Sequence, residues 1–259
     1  MKCSLCPRRC NAERTENENL NGFCKMPLLP VAARAALHFW EEPCISGQNG
    51  SGTVFFTGCN LDCAFCQNYE VSHLKKGKPI TYGRLADIFR ELEEKGAHNI
   101  NLVSPSHYVG AIIRALDIYK PKIPVVYNSG GYDTPENIRA LKDYADIFLM
   151  DLKYLSPDRA KKYSGAENYP EYAVSAVKQA YLQQPECVFK NGIMQKGVIV
   201  RHLLLPLGTR EAIAVFDWVR ENTPGVYFSI MSQYTPCGRA EQYPEINRRV
   251  TKREYEKVL

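Results

Sequence analysis

The sequence predicts an α/β chain folded as a partial, open (βα)6 TIM-like barrel with a Cys-rich N-terminal extension. Six short apolar runs follow one another from residue 53 onward, each separated from the next by a helical pattern. Strands alternating with helices in this way read as parallel strands joined by right-handed crossovers. Six units are too few to close an eight-stranded barrel, and no G-x-G-x-x-G follows any run, as a dinucleotide-binding sheet would require. The length of 259 residues is the usual size of one such domain.

The strands are expected at Thr53–Thr57, Asn99–Val103, Pro124–Asn128, Ile147–Leu152, Val198–Leu203 and Val226–Met231. Thr81 is placed to cap a helix whose apolar positions Leu85, Ile88, Phe89 and Leu92 recur at i, i+3, i+4 and i+7, with Gly96 at its end. Val109, Ile112, Ile113 and Leu116 repeat that spacing. Thr134 followed by Pro135 marks a cap and first turn, with Ile138 and Leu141 turned inward. Tyr172, Ala176, Val177, Ala180 and Tyr181 line a further helix, and Thr209 opens one carrying Ile213, Phe216 and Val219.

Residues 1–45 show no clear periodicity and hold Pro27, Pro30 and Pro43. They read as a metal-stapled extension outside the sheet, with the barrel spanning 46–259. Hydrophobic residues make up 45% and charged residues 24%, ordinary for a soluble globular chain. No apolar run approaches a membrane span, and Met1-Lys2-Cys3 is unlike a signal peptide, so a cytoplasmic protein with no membrane partner is expected. The formal charge of +5 is scattered; its compact runs, Lys75-Lys76-Gly77-Lys78 and Arg248-Arg249, read as solvated faces, and no nucleic-acid partner is expected.

Ten cysteines without a secretory context favour metal binding over disulfides. Cys59-Asn60-Leu61-Asp62-Cys63-Ala64-Phe65-Cys66 is a C-x3-C-x2-C loop directly after the first strand. Three thiolates on one short loop hold three irons of a cubane cluster and leave the fourth open to an outside ligand. The loop also stands at the C-terminal end of a barrel strand, where barrel enzymes place their chemistry. A zinc knuckle or unrelated thiols are the alternatives.

A second group, Cys3, Cys6, Cys10 and Cys24, has the spacing C-x2-C-x3-C-x13-C. It suits tetrahedral zinc, a single iron or an auxiliary [4Fe–4S] cluster, against the alternative of free thiols. Cys44 and Cys237 read as buried inert thiols that could lie near the mouth. Tyr108, Tyr132 and Tyr154 each follow a strand end, where they shield the mouth or simply pack.

Around the cysteine loop, Gly52-Thr-Val-Phe-Phe-Thr-Gly-Cys-Asn-Leu-Asp-Cys-Ala-Phe-Cys-Gln-Asn68 resembles the signature of the radical S-adenosylmethionine (SAM) superfamily. It is most similar to the branch related to pyruvate formate-lyase activating enzyme, and the resemblance runs from about Ser46 to Tyr234. It implies a [4Fe–4S] cluster on Cys59, Cys63 and Cys66, with SAM on the open iron. One electron then cleaves SAM to methionine and a 5′-deoxyadenosyl radical, which abstracts hydrogen.

Matched position by position, the resemblance implies that Asp151 and Lys153 of Asp-Leu-Lys line the catalytic mouth. Phe65, Asn128, Ser129, Gly130, Arg201 and Gln233 would contact SAM, with Tyr234 near the ribose. His202 points the other way by strand alternation. The implied partners are an electron donor of flavodoxin or ferredoxin type and a glycyl radical enzyme. A small molecule or peptide substrate is the alternative, and a non-catalytic electron-transfer or zinc-stabilised binding protein a further one. Two departures stand out. Asn101-Leu-Val-Ser104-Pro105-Ser106-His107 replaces the Gly-Gly-Glu-Pro that binds the SAM amino group, leaving Ser104, Ser106 or His107 as substitutes. Tyr127 stands where an aspartate serves a cation site.

Overall fold

The six expected strands all form, and their order in space is their order in sequence. A computed structural model describes residues 2–74 and 76–259; Met1 of the chain start and Lys75 of the basic run lie outside the described residues. The extension opens with an antiparallel hairpin of β1 (Glu13–Arg14) and β2 (Asn19–Leu20). There follow β3 (Val31–His38), α1 (Pro43–Ser46), β4 (Ser51–Phe56), α2 (Tyr69–Ser72), β5 (Lys78–Pro79), α3 (Tyr82–Glu94) and β6 (Ile100–Val103). The chain continues through α4 (Val109–Ile118), β7 (Val125–Ser129), α5 (Pro135–Ala140), β8 (Ile147–Asp151), α6 (Pro157–Ser164) and α7 (Tyr169–Gln183). It ends with β9 (Val188–Lys190), β10 (Ile193–Leu203), α8 (Thr209–Asn222), β11 (Tyr227–Met231) and α9 (Lys252–Glu256).

Strands β4, β6, β7, β8, β10 and β11 pair in parallel in that sequence, with β3 and β5 added antiparallel beyond β4. Among the described residues β11 pairs with β10 alone, so the parallel sheet is an open barrel. The helix caps form as expected: the Thr81 and Thr134 hydroxyls accept from the Arg84 and Asn137 amides.

Alternation sorts each strand's side chains to two faces. The outer face of β7, β8 and β10 carries Tyr127, Phe148, Met150, Val198 and Val200, buried against Ala173, Ala176 and Val177 of α7 and Val215 and Val219 of α8. On the inner face, Val126, Ile147, Leu149 and Ile199 pack with Cys44, Ile45 and Met194 into a small apolar core. The next inner positions along the same strands are Asn128, Asp151 and Arg201. The barrel therefore has an apolar lower end, plugged by α1, beneath a polar upper end.

Two features depart from expectation. Val31–His38, expected outside the sheet, is an eight-residue strand antiparallel to β4, so the sheet crosses the expected boundary at residues 45 and 46. Its sequence, VAARAALH, is alanine-rich and does not alternate, which hid it. Strand β10 starts five residues before Val198, because Asn191 and Gly192 turn β9 back on it with φ of 51° and 78°. An Asn-Gly pair between extended runs is a strong hairpin signal that the strand pattern had not taken into account.

Candidate active site

The three-cysteine loop leaves the end of β4 at Thr57 and is tied down on every side. Gly58 turns with φ of 80°, and a Cβ there would lie 2.4 Å from Met26 Cγ, so only glycine lets the chain pass under the extension. The Asp62 and Ala64 amides donate to the Ser164 and Tyr163 carbonyls at 3.1 and 2.8 Å, and the Asn60 side-chain amide donates to the Tyr132 carbonyl. From the far side, the Arg239 amide donates to the Ala64 carbonyl at 2.6 Å, and its guanidinium pairs with Asp62.

Each sulfur of the loop has a polar neighbour. The Leu61 amide donates to Cys59 Sγ at 3.4 Å; Cys63 Sγ lies 3.1 Å from Ser164 Oγ, and Cys66 Sγ lies 3.2 Å from Ser72 Oγ. Burial pushes the Cys59 thiol up to about 12 and Cys63 up to about 11, against the opposing charge of Lys153. A bound metal reverses that preference, since only the thiolate is a ligand.

A network of paired charges spans the upper barrel. Asp151 receives Lys153 Nζ at 2.6 Å on one oxygen and Arg201 Nε at 2.9 Å on the other. Arg201 also donates to Asn128 Oδ1 at 2.9 Å and to Glu41 Oε1 at 3.1 Å. The Asn101 and Asn128 amides donate to the other Glu41 oxygen, and Ser229 donates to Glu42 at 3.1 Å. Burial raises the Asp151 carboxyl, but the two cations more than offset it and hold the group ionised. Gly130 sits between this network and the loop: a Cβ there would lie 3.3 Å from Leu61 Cδ1 and 3.7 Å from Lys153 Cε.

The other expected residues fall in varied places. The Ser129 hydroxyl is turned into the wall, onto the buried Asp133, which also receives Tyr127 Oη at 2.9 Å and Ser106 Oγ at 3.1 Å. Phe65 is buried, its ring 5.9 Å from that of Tyr234, whose hydroxyl donates to the Ile246 carbonyl. Gln233 is exposed. His107 is buried with Nε2 2.8 Å from the Thr57 carbonyl, and Ser104 adopts a glycine-like φ of 56° where the sequence lacks the expected glycines. Tyr108, Tyr132 and Tyr154 are buried, and so is His202, which lies on the face of β10 opposite Arg201 with Nδ1 2.8 Å from the Leu152 carbonyl. Cys44 lies in the apolar lower core, whereas the Cys237 thiol donates to the Phe65 carbonyl at 3.2 Å, against the cysteine loop.

Sequence reasoning missed Glu41, Asp133 and Tyr169. Tyr169 Oη lies 2.8 and 3.0 Å from the Asp151 and Gly130 carbonyls and accepts from the Lys153 amide at 3.0 Å, fixing that corner. The available signal for Glu41 was the pair Glu41-Glu42 set between an aromatic run and Pro43.

An open parallel barrel with polar chemistry gathered at the carboxyl ends of its strands defines a barrel enzyme. The model of the radical SAM superfamily matches residues 53–198, and the chain belongs to that superfamily. Membership implies a [4Fe–4S] cluster and SAM as its cofactors. The chain is 31% identical to uncharacterized protein MJ0674 of Methanocaldococcus jannaschii, over 99% of this chain and 73% of that one. Among solved structures it resembles Streptococcus suis SuiB bound to precursor peptide SuiA, at a TM-score of 0.54 and 14% identity, covering 78% of this chain and 43% of that one. It also resembles anSMEcpe with bound AdoMet and Cp18Cys peptide (TM-score 0.54, 10% identity, 78% and 55%). HydG, a maturase of the [FeFe]-hydrogenase, is similar too (TM-score 0.52, 17% identity, 78% and 46%). The chain thus spans about half the length of these solved structures.

Proposed function

We propose that Cys59, Cys63 and Cys66 hold the [4Fe–4S] cluster, that SAM lies across the upper barrel, and that the hydrogen donor is a glycine on a partner protein. The observation that carries the cofactor reading is the loop itself: three thiols on one short segment, each with a hydroxyl or amide neighbour able to stabilise a ligating sulfur. The donor set fits a cluster with one iron left to SAM. When bound, the cluster supplies the electron that cleaves the SAM sulfonium into methionine and a 5′-deoxyadenosyl radical.

The chain's own groups bind and orient. Arg201 and Lys153 offer positive charge to a carboxylate, and Asp151, bonded to both, fixes their positions. Asn128 presents an amide beside Arg201. Gly130 leaves room between the loop and Lys153, and Ser129 braces the turn by accepting from the Gly131 amide at 3.1 Å. Phe65 stiffens the loop from below, and Gln233 stands free at the end of β11 for a ribose hydroxyl.

The glycine reading is supported by the likeness of the cysteine loop and Asp151-Leu152-Lys153 to the activating enzymes, and by the open barrel edge beside β11, which would admit a backbone loop. The electron would come from a flavodoxin- or ferredoxin-type donor. A second reading, modification of a short peptide, is favoured by the fold likeness to SuiB and anSMEcpe, both solved with peptides. The test is to incubate reduced enzyme and SAM with glycyl radical enzymes of the same cell and look for the glycyl doublet by electron paramagnetic resonance. A doublet on one partner is expected. Its absence from all of them, with 5′-deoxyadenosine release stimulated by a peptide instead, overturns the glycine reading and leaves SAM cleavage standing.

A further inference from the structure

We propose that His73, held by Asp62, positions the Ser72 hydroxyl as a hydrogen-bond donor to Cys66 Sγ, and that this relay sets the ease of reduction at the three-cysteine loop, given the cluster proposed there. Four groups stand in an unbroken line. Cys66 Sγ lies 3.2 Å from Ser72 Oγ, which lies 2.7 Å from His73 Nδ1, and His73 Nε2 lies 2.8 Å from Asp62 Oδ1. All four residues are half-buried, so water competes little for these contacts.

The local backbone builds the line. Helix α2 starts three residues after Cys66, and the Ser72 and His73 amides donate to the Asn68 and Tyr69 carbonyls, each at 2.8 Å. The Gly58 amide donates to the Val71 carbonyl at 3.1 Å, tying this turn to the start of the loop. The His73 ring is stacked on Tyr69, with centroids 4.5 Å apart and planes 10° from parallel. Asp62 is fixed in turn by Arg239, whose Nη2 donates to Oδ1 at 2.5 Å and to the Asp62 carbonyl at 3.2 Å.

Counting hydrogens gives the direction of each bond. A ligating sulfur has given up its proton and only accepts, so Ser72 donates to it. The hydroxyl has one hydrogen to give, so its oxygen accepts from Nδ1. Nε2 faces a carboxylate, which also only accepts, so both ring nitrogens carry hydrogen and Asp62 balances the charge. The Asn68 carbonyl lies 2.9 Å from the same hydroxyl and competes for its hydrogen. A charged sulfur is the stronger acceptor, and a hydroxyl that receives from a cation is the stronger donor.

The other two sulfurs are served differently. Cys59 has the Leu61 amide, and the Ser164 hydroxyl beside Cys63 is backed by the neutral Tyr154 phenol at 3.0 Å. Behind the Cys66 donor stands instead an imidazole paired with a carboxylate. Hydrogen bonds to the sulfurs tune the potential of an iron–sulfur cluster, because they stabilise the extra negative charge of the reduced state. The relay thus favours acceptance of the electron from an outside donor.

The test reconstitutes the full chain anaerobically and follows the electron paramagnetic resonance signal of the reduced protein against potential. The loop's signal is the one missing from Cys59→Ala/Cys63→Ala/Cys66→Ala. Ser72→Ala removes the donor, while His73→Phe removes both ring nitrogens and keeps a ring for Tyr69. Ser72→Ala should keep the wild-type iron and sulfide and disfavour reduction about tenfold, a fall of about 59 mV for one electron. His73→Phe should shift the potential in the same direction, and much less when Ser72→Ala is already in place. His73→Asn, whose amide can donate from the Nδ1 position, should recover part of the fall. If His73→Phe does not fold, Ser72→Ala alone carries the reading. An unchanged potential in Ser72→Ala at wild-type iron content overturns the relay and leaves the cluster reading standing, as does an equal effect of His73→Phe with and without the Ser72 hydroxyl. The absence of any signal that depends on the three cysteines overturns the cluster reading and the relay with it.

Discussion

The Glu41 carboxylate accepts a hydrogen bond from the Arg201 guanidinium at 3.1 Å, across 160 positions of sequence. Both side chains are nearly buried, at 14% and 13% exposure, and Glu41 also accepts from the Asn101 and Asn128 side-chain amides. The segment before the first parallel strand is thus built into the wall of the site. Glu41→Ala strands part of the Arg201 charge and two amides. Breaking a buried pair typically costs about 3–5 kcal/mol, and with Asp151 still on Arg201 a loss of about 2–3 kcal/mol is expected. Denaturant unfolding measures this, and a variant as stable as the wild type would show that Arg201 needs only Asp151.

The sequence made the parallel strands legible because β4, β6, β7, β8 and the middle of β10 are buried on both faces and read as apolar runs bounded by turn residues, while β11, half-buried at the open edge, still carries an apolar run. The cysteine loop was legible because metal ligation imposes a local spacing. What stayed hidden was long-range. Glu41 meets Arg201 only once α1 plugs the barrel, and Asp133 becomes a wall residue only when Tyr127, Ser106 and Ser129 turn their hydroxyls onto it. Strand β3 was hidden differently: its alanines have weak strand propensity, and pairing with β4 overrides that local preference.

Gly131 should tolerate no side chain. Its φ is 82°, and a Cβ would stand 2.0 Å from the Asp151 carbonyl oxygen and 2.7 Å from Tyr169 Oη. Gly131→Ala is expected to displace the Asp151–Lys153 corner and weaken SAM binding at least tenfold, about 1.4 kcal/mol, in equilibrium titration. Gly130→Ala meets Leu61 Cδ1 at 3.3 Å and Lys153 Cε at an ordinary contact distance of 3.7 Å, and should cost less. Equal effects from the two would argue against the Gly131 turn as the constraint.

Cys237 tests the number of ligands at the cluster. It lies against the loop, but its thiol is engaged with the Phe65 carbonyl. Cys237→Ser should keep the iron and sulfide of the wild type and its reductive SAM cleavage, while Cys59→Ala/Cys63→Ala/Cys66→Ala loses cleavage entirely. Loss of iron from Cys237→Ser would make it a fourth ligand and argue against the open iron proposed for SAM.

His107 should make the fold sensitive to mild acid. Burial pushes its pKa down from 6.5 to about 4, with Arg14 adding to the shift, and the ring stays neutral to donate Nε2–H to the Thr57 carbonyl. The folded-state value lies below the unfolded one, so the sign is fixed. Above pH 6.5 both states are neutral and the residue contributes nothing to pH dependence. As pH falls from 6.5 toward 4, the unfolded chain takes up a proton that the folded chain refuses, and stability declines. The full loss is about 3 kcal/mol at 1.36 kcal/mol per pKa unit, and it levels off below the folded value. His107→Gln keeps an amide donor for Thr57 and removes the titration; His202, likewise held neutral by burial, is present in both proteins and cancels. Unfolding free energies measured across this range should therefore fall less steeply with acid in the variant. Parallel curves for the two proteins would show that His107 is protonated in the folded state or released from the wall before it titrates.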